Sequence, residues 1–155
     1  MEFAKLKVIY RIVLVALMAN TSMLLSAQPY EHSVGIRAGY SSGIVYKAFF
    51  RHRPTAIEGG ILYNRHGFNV SGLLEYHPEV FRNDRILVYV GGGAFVGEWD
   101  DEFSLGIAGV TGIEYVLRDL PLSFGAEWKP MLNLFEDFEP DWLDFGVLIR
   151  YHFKI

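Results

Sequence analysis

The chain has 155 residues, no cysteine, a net charge of −4 and a composition that is 51% hydrophobic and 15% aromatic. The acidic balance gives no reason to expect a nucleic-acid partner. The absence of cysteine excludes a disulfide scaffold, a thiolate metal centre and a cysteine-linked lipid anchor.

Lys5, Lys7 and Arg11 precede an apolar run from Ile12 to Leu25 that ends in Ser26 and Ala27 before Gln28 and Pro29. This reads as a secretory signal peptide over residues 1–27, leaving 28–155 as one domain. The run is shorter than the ~20 residues a membrane-spanning helix needs. No later apolar stretch reaches that length, so a mature protein in a membrane would be there as strands.

Eight segments then follow a two-residue period, the signature of a strand with two unlike faces. His32 to Ser41 sets Val34, Ile36, Ala38 and Tyr40 against Ser33, Gly35, Arg37 and Gly39, and Gly43 to Phe50 sets Ile44, Tyr46, Ala48 and Phe50 against Val45, Lys47 and Phe49. Ala56 to Asn64 opposes Ile57, Ile61 and Tyr63 to Glu58, Leu62 and Asn64; Phe68 to His77 opposes Phe68, Val70, Leu74 and Tyr76 to Asn69, Ser71, Glu75 and His77. Ile86 to Gly97 is apolar on both faces, so its orientation stays open. Ser104 to Val116 separates Leu105, Ile107, Ile113 and Tyr115 from Gly106, Ala108 and Glu114, and Leu122 to Met131 separates Phe124, Ala126 and Trp128 from Ser123, Glu127 and Lys129. Trp142 to Phe153 is the cleanest: Leu143, Phe145, Val147, Ile149, Tyr151 and Phe153 face one way, Asp144, Gly146, Leu148, Arg150 and His152 the other. The connections carry turn chemistry such as Arg53-Pro54, Arg65-His66-Gly67 and Asp119-Leu120-Pro121, and are short enough for antiparallel neighbours.

In the closing segment, and in most of the others, the bulky apolar face opposes one that is small or singly charged, the reverse of a soluble sandwich. That arrangement suits lipid outside and a narrow charged lumen inside. The fold expected is all-β, an eight-stranded antiparallel up-and-down transmembrane barrel with a filled polar interior. If the first strand rises from the periplasm, Tyr40, Tyr63, Phe68 and Trp128 fall at the outer interface. Phe50, Tyr76, Tyr115, Tyr151 and Phe153 fall at the inner one, giving two aromatic girdles.

At this level of pattern, Val34 to Phe153 resembles the small eight-stranded outer-membrane barrels, among them OmpX and the membrane domain of OmpA. The segment Leu122 to Pro130 (LSFGAEWKP) and the ending RYHF are similar to small barrels of Bacteroidetes type. The resemblance implies a bacterial outer-membrane location, outer-membrane lipids and lipopolysaccharide as surroundings, and insertion by the barrel assembly machinery. The terminal aromatic of that family corresponds to Phe153, although Lys154 and Ile155 follow it.

Assigning the bulky faces to lipid leaves Arg37, Lys47, Glu58, Glu75, Glu114, Glu127, Lys129, Asp144 and Arg150 inside, four bases against five acids. An eight-stranded barrel is just wide enough for its side chains to fill it, so these charges are expected to pair into a plug. A narrow ion-conducting lumen is the alternative. The longer outer loops carry Glu98, Asp100, Asp101 and Glu102, then Glu136, Asp137, Glu139 and Asp141, whose hard oxygens suit Ca²⁺ or Mg²⁺ shared with lipopolysaccharide. Inner turns carry Arg51, Arg53, Arg82, Arg85 and Arg118 against Glu79, Asp84 and Asp119.

No cofactor motif is present, because Gly91-Gly92-Gly93 with Gly97 lacks the dinucleotide-loop spacing and no helical pattern follows. The function expected is a monomeric structural, envelope-integrity or surface-interaction barrel without an open pore. The alternatives are a lipid A acyltransferase or deacylase, built on His66 with Ser41 or Ser42 and Glu98 or Asp100, and a soluble lipocalin-like barrel.

Overall fold

A computed structural model describes residues 29–135 and 140–155. Residues 1–27, where a signal peptide is expected, and the loop acids Glu136, Asp137 and Glu139 lie outside the described residues. The strands are β1 (His32–Gly39), β2 (Ser42–Phe49), β3 (Thr55–Asn64), β4 (Gly67–Tyr76), β5 (Ile86–Trp99), β6 (Glu102–Val116), β7 (Leu122–Trp128), β8 (Met131–Asn133), β9 (Pro140–Asp141) and β10 (Phe145–Phe153). Each consecutive long pair is antiparallel, β5 pairs with β6, and β10 closes on β1 from His32↔Phe153 to Gly39↔Gly146. The result is a closed barrel of eight staves with no free long edge, which removes the unpaired backbone groups an open sheet would present.

Two of the staves are interrupted. β8 continues β7 against β6 in one register, broken only at Lys129 and Pro130, where the proline ring leaves no N–H to donate. On the facing stave three residues, Trp142 to Asp144, span what two span on β7 and β8, so the run from Trp142 to Phe153 contains a β-bulge rather than one regular strand. The bulge leaves Trp142 and Leu143 both exposed and turns Asp144 inward.

The register also fixes the stagger. From Arg37, one way round, the partners are Gly43, Leu62, Asn69, Gly97 and Ser104. The other way they are Leu148, Gly125 and Glu114. The two routes reach β6 ten residues apart, at Ser104 and Glu114, a shear that tilts the strands by roughly 35–45°.

Alternation sends most of the bulky apolar side chains outward; Ile36 is 68% and Ile44 62% exposed, while Val45, Leu62, Leu73 and Leu148 point inward. β5 resolves its ambiguity by packing Tyr89 and Phe95 inward beside Gly91 and Gly93, while Val90 and Val96 point out. A side chain at Gly112 would be impossible without moving that tyrosine, since its Cβ would lie 2.5 Å from the Tyr89 ring.

The β5–β6 hairpin turns on Asp100 and Asp101 alone, with φ of 50° and 65°. Positive φ at both central positions is the type I′ geometry that matches strand twist, and glycine is favoured at the second. Asp101→Gly is therefore expected to raise the unfolding free energy by about 0.5–1 kcal/mol. An unchanged or lower urea midpoint in detergent micelles would contradict this.

Candidate functional site

The nine charged side chains all lie in the lumen, at most 4% exposed. Towards one end, Arg37 on β1 reaches across to β7, its Nε donating to Glu127 at 2.7 Å, while its guanidinium lies 2.9 Å from Asp144. Ser41 completes this corner, its carbonyl and hydroxyl accepting from Arg37 and its hydroxyl donating to Asp144. At mid-height Lys129 sits 3.5 Å from Glu127 and 3.4 Å from Glu58, linking the upper cluster to the lower. Arg150 then joins Glu58 at 2.6 Å and Glu114 at 3.2 Å, and Lys47 joins Glu75 at 2.7 Å with Glu58 at 3.7 Å. Staves far apart along the chain meet in this way, so the pairs tie the wall together across its diameter.

Neutral donors extend the network. Tyr89 donates to Glu127 at 2.9 Å, and its ring lies 4.0 Å from the Lys47 ammonium, a cation–π contact. Tyr30 donates to Glu114 at 3.0 Å, and Ser123 donates to the same carboxylate. Charges taken out of water are tolerated when paired in this way, because their mutual attraction offsets the cost of desolvation.

The end that carries Pro29 and Ile155, called inner here, is closed by rings. Tyr30 stacks on His152 at 3.8 Å and meets Phe49 edge-on at 5.1 Å, over Ala56 and Val116. His77 packs against Phe49 and Tyr89, and its Nε2 lies 3.1 Å from Glu75.

Burial pushes the His77 imidazole below its ordinary value, the Glu75 hydrogen bond pulling it part-way back and Lys47 opposing the added charge. Folding therefore disfavours protonated His77. Its stabilising contribution is complete above the unfolded value of about 6.5 and is lost as pH falls through the lower folded value. His77→Asn is expected to flatten the fall in unfolding midpoint below that pH; an unchanged pH profile would contradict the assignment. Glu75, Lys47 and Glu114 are the charged groups around the ring.

The outer end carries a second, smaller constellation. His66 Nδ1 lies 3.0 Å from Asp100 Oδ1, its ring lies flat on Trp99 at 4.5 Å, and Arg65 Nε donates to its Nε2 at 3.2 Å. The Asp100 N–H donates to the His66 carbonyl at 2.6 Å, so the two hairpin turns are fastened together. Ser41, by contrast, is fully buried against Arg37 and Asp144, and no hydrogen bond joins it to His66. Glu98, Asp101 and Glu102 are exposed and Asp141 partly so; among the described residues no three His, Asp or Glu side chains converge on a metal-sized point.

Of the nine aromatics expected at the two interfaces, six are exposed and Tyr40, Trp128 and Phe153 are half-buried. Tyr63, Phe68 and Trp128 lie towards the outer end with Tyr40 beside the β1–β2 turn; Phe50, Tyr76, Tyr115, Tyr151 and Phe153 lie towards the inner end. Sequence reasoning did not find Tyr30, which precedes the first periodic strand, nor Tyr89, on a strand apolar on both faces. The inward faces of β1 and β7 did signal Ser33 and Ser123.

No family model matches the chain, and neither does any curated protein or solved structure.

Proposed function

We propose that the protein is a small outer-membrane β-barrel, of the OmpX and OmpA membrane-domain kind, with a structural, envelope-integrity or surface-contact role and no open pore. One observation carries the reading: the barrel is inverted relative to a soluble one. Its large apolar side chains, Ile36, Ile44, Ile61 and Val147 among them, stand exposed on the outer wall, while the lumen holds nine paired charges. A contiguous apolar belt of this kind is larger than soluble proteins expose to water, and it suits an outer wall in lipid. The ion pairs spanning the lumen support a plug. Outer-membrane lipids and lipopolysaccharide are then the surroundings, with the assembly machinery acting during insertion and the barrel monomeric. Divalent cations bridging Glu98, Asp101 or Glu102 to lipopolysaccharide belong to the same reading.

Cell fractionation with an unboiled gel tests it most directly. The protein is expected in the outer-membrane fraction and to migrate faster unboiled than boiled. Recovery from the soluble periplasm would overturn the proposal, and stepwise conductance in planar bilayers would overturn the plug.

A further inference from the structure

We propose that the inner end of the barrel is a phosphate-binding surface that grips the anionic headgroups of the adjoining phospholipid leaflet, with Arg51 and Arg53 at its centre. The inference rests on the membrane reading above and adds the lipid class that one end prefers.

Every Lys and Arg in the lumen has a carboxylate within 4 Å, but the five inner-turn arginines have none among the described residues, even though Glu79, Asp84 and Asp119 share those turns. Arg51, Arg53, Arg82 and Arg118 are exposed. The turn from Phe50 to Pro54 contains no acid, and its shape is set by backbone bonds. Phe50 N–H donates to Thr55 at 2.9 Å, Arg53 N–H to Phe50 at 3.2 Å, and the Pro54 carbonyl accepts from His77 at 2.7 Å. His52 at φ 57° completes a fixed loop that presents Arg51 and Arg53.

The neighbouring β4–β5 loop sets exposed Val80 and Phe81 directly before Arg82. Arginines interleaved with apolar side chains are what an anionic lipid interface retains, the rings and methyls entering the headgroup boundary while the charges meet phosphate. Guanidinium suits that role better than ammonium because its fork of donors matches two phosphate oxygens at once. The opposite end would repel the same surface: among its described turn residues Arg65 is the only Lys or Arg, beside Glu98, Asp100, Asp101 and Glu102. The two ends thus differ in sign, and only one favours an anionic leaflet.

The test refolds the full mature chain into vesicles of phosphatidylcholine alone, or with a third of it replaced by phosphatidylglycerol, and compares urea unfolding. Phosphatidylglycerol is expected to raise the midpoint at low salt, with the gain disappearing as salt screens it. In R51Q/R53Q/R82Q/R118Q the gain is expected to vanish while the midpoint in pure phosphatidylcholine holds, the lipid-dependent folded ratio falling roughly fivefold per arginine removed. Equal midpoints in the two vesicles, or a gain that survives in the variant, would overturn the proposal while leaving the membrane reading intact. Failure to enter either vesicle would overturn both. A gain reproduced by free inorganic phosphate on micelle-held protein would overturn the leaflet as its source.

Discussion

Arg150→Met is expected to lower the unfolding free energy of the barrel by about 3–5 kcal/mol, the cost of removing one partner from a buried ion cluster. Among the described residues Arg150 is the only base that hydrogen-bonds both Glu58 and Glu114, at 2.6 and 3.2 Å, with Glu127 at 3.9 Å; Lys47 stands farther from the same two carboxylates, at 3.7 and 3.9 Å. Its loss leaves the lumen with three bases against five acids, and methionine fills the volume without supplying a donor. Arg150→Lys should recover only part of the loss, since an ammonium on a shorter stem cannot hold both carboxylates in the same geometry. Urea titration in micelles, with the temperature of heat modification as a second probe, measures this. A change below about 1 kcal/mol, the size of an exposed pair, would mean that the lumen is wet enough to screen its charges.

Tyr89→Ala is expected to cost about 3–5 kcal/mol as well, for a different reason. The ring is fully buried in the largest apolar cluster among the described residues, against Leu73, Phe95, Ala108, Val110 and Met131. It also underlies Lys47 and donates to Glu127. Truncation therefore opens a cavity where the apolar cluster meets the ion pairs, and bilayer conductance should rise. Tyr89→Phe keeps the volume and removes the donor alone, so it should cost about 1–3 kcal/mol and leave conductance unchanged. Conductance rising equally in both variants would show that the hydroxyl, not the ring, seals that level.

Much of the architecture was legible because alternation in a barrel stave has only two outcomes. Glu75, Glu114 and Arg150 each sit between two bulky apolar neighbours, and Arg37, Lys47 and Glu58 each follow one, so assigning the bulk outward sends all of them inward. β5 escaped this logic because valines occupy one face and glycines with aromatics the other, and periodicity cannot rank two apolar faces. The bulge at Trp142 to Asp144 was hidden because alternation looks regular on either side of it; only the pairing with β7 and β8 exposes the extra residue. Tyr30 carries no local signal, its place being set by the mouth of a barrel that exists only once β1 has met β10. The contact of His66 with Asp100 depends likewise on two hairpin turns leaning together, although both residues stood out as loop chemistry.

The seam between β1 and β10 joins the first and last strands of the chain. Every other stave can zip onto its predecessor as a local hairpin, but this pairing must close the longest possible loop, and it does so only after Phe153 exists. Loop-closure entropy places such a step late in folding. The ion pairs of Arg37 with Asp144 and of Arg150 with Glu58 reach across the same seam, so they form only when it closes. The lumen charges thus act in time as well as in space: until the seam shuts, the groups whose pairs span it remain solvated, and closure commits those pairs together, whereas Lys47 with Glu75 needs only β2 to β4.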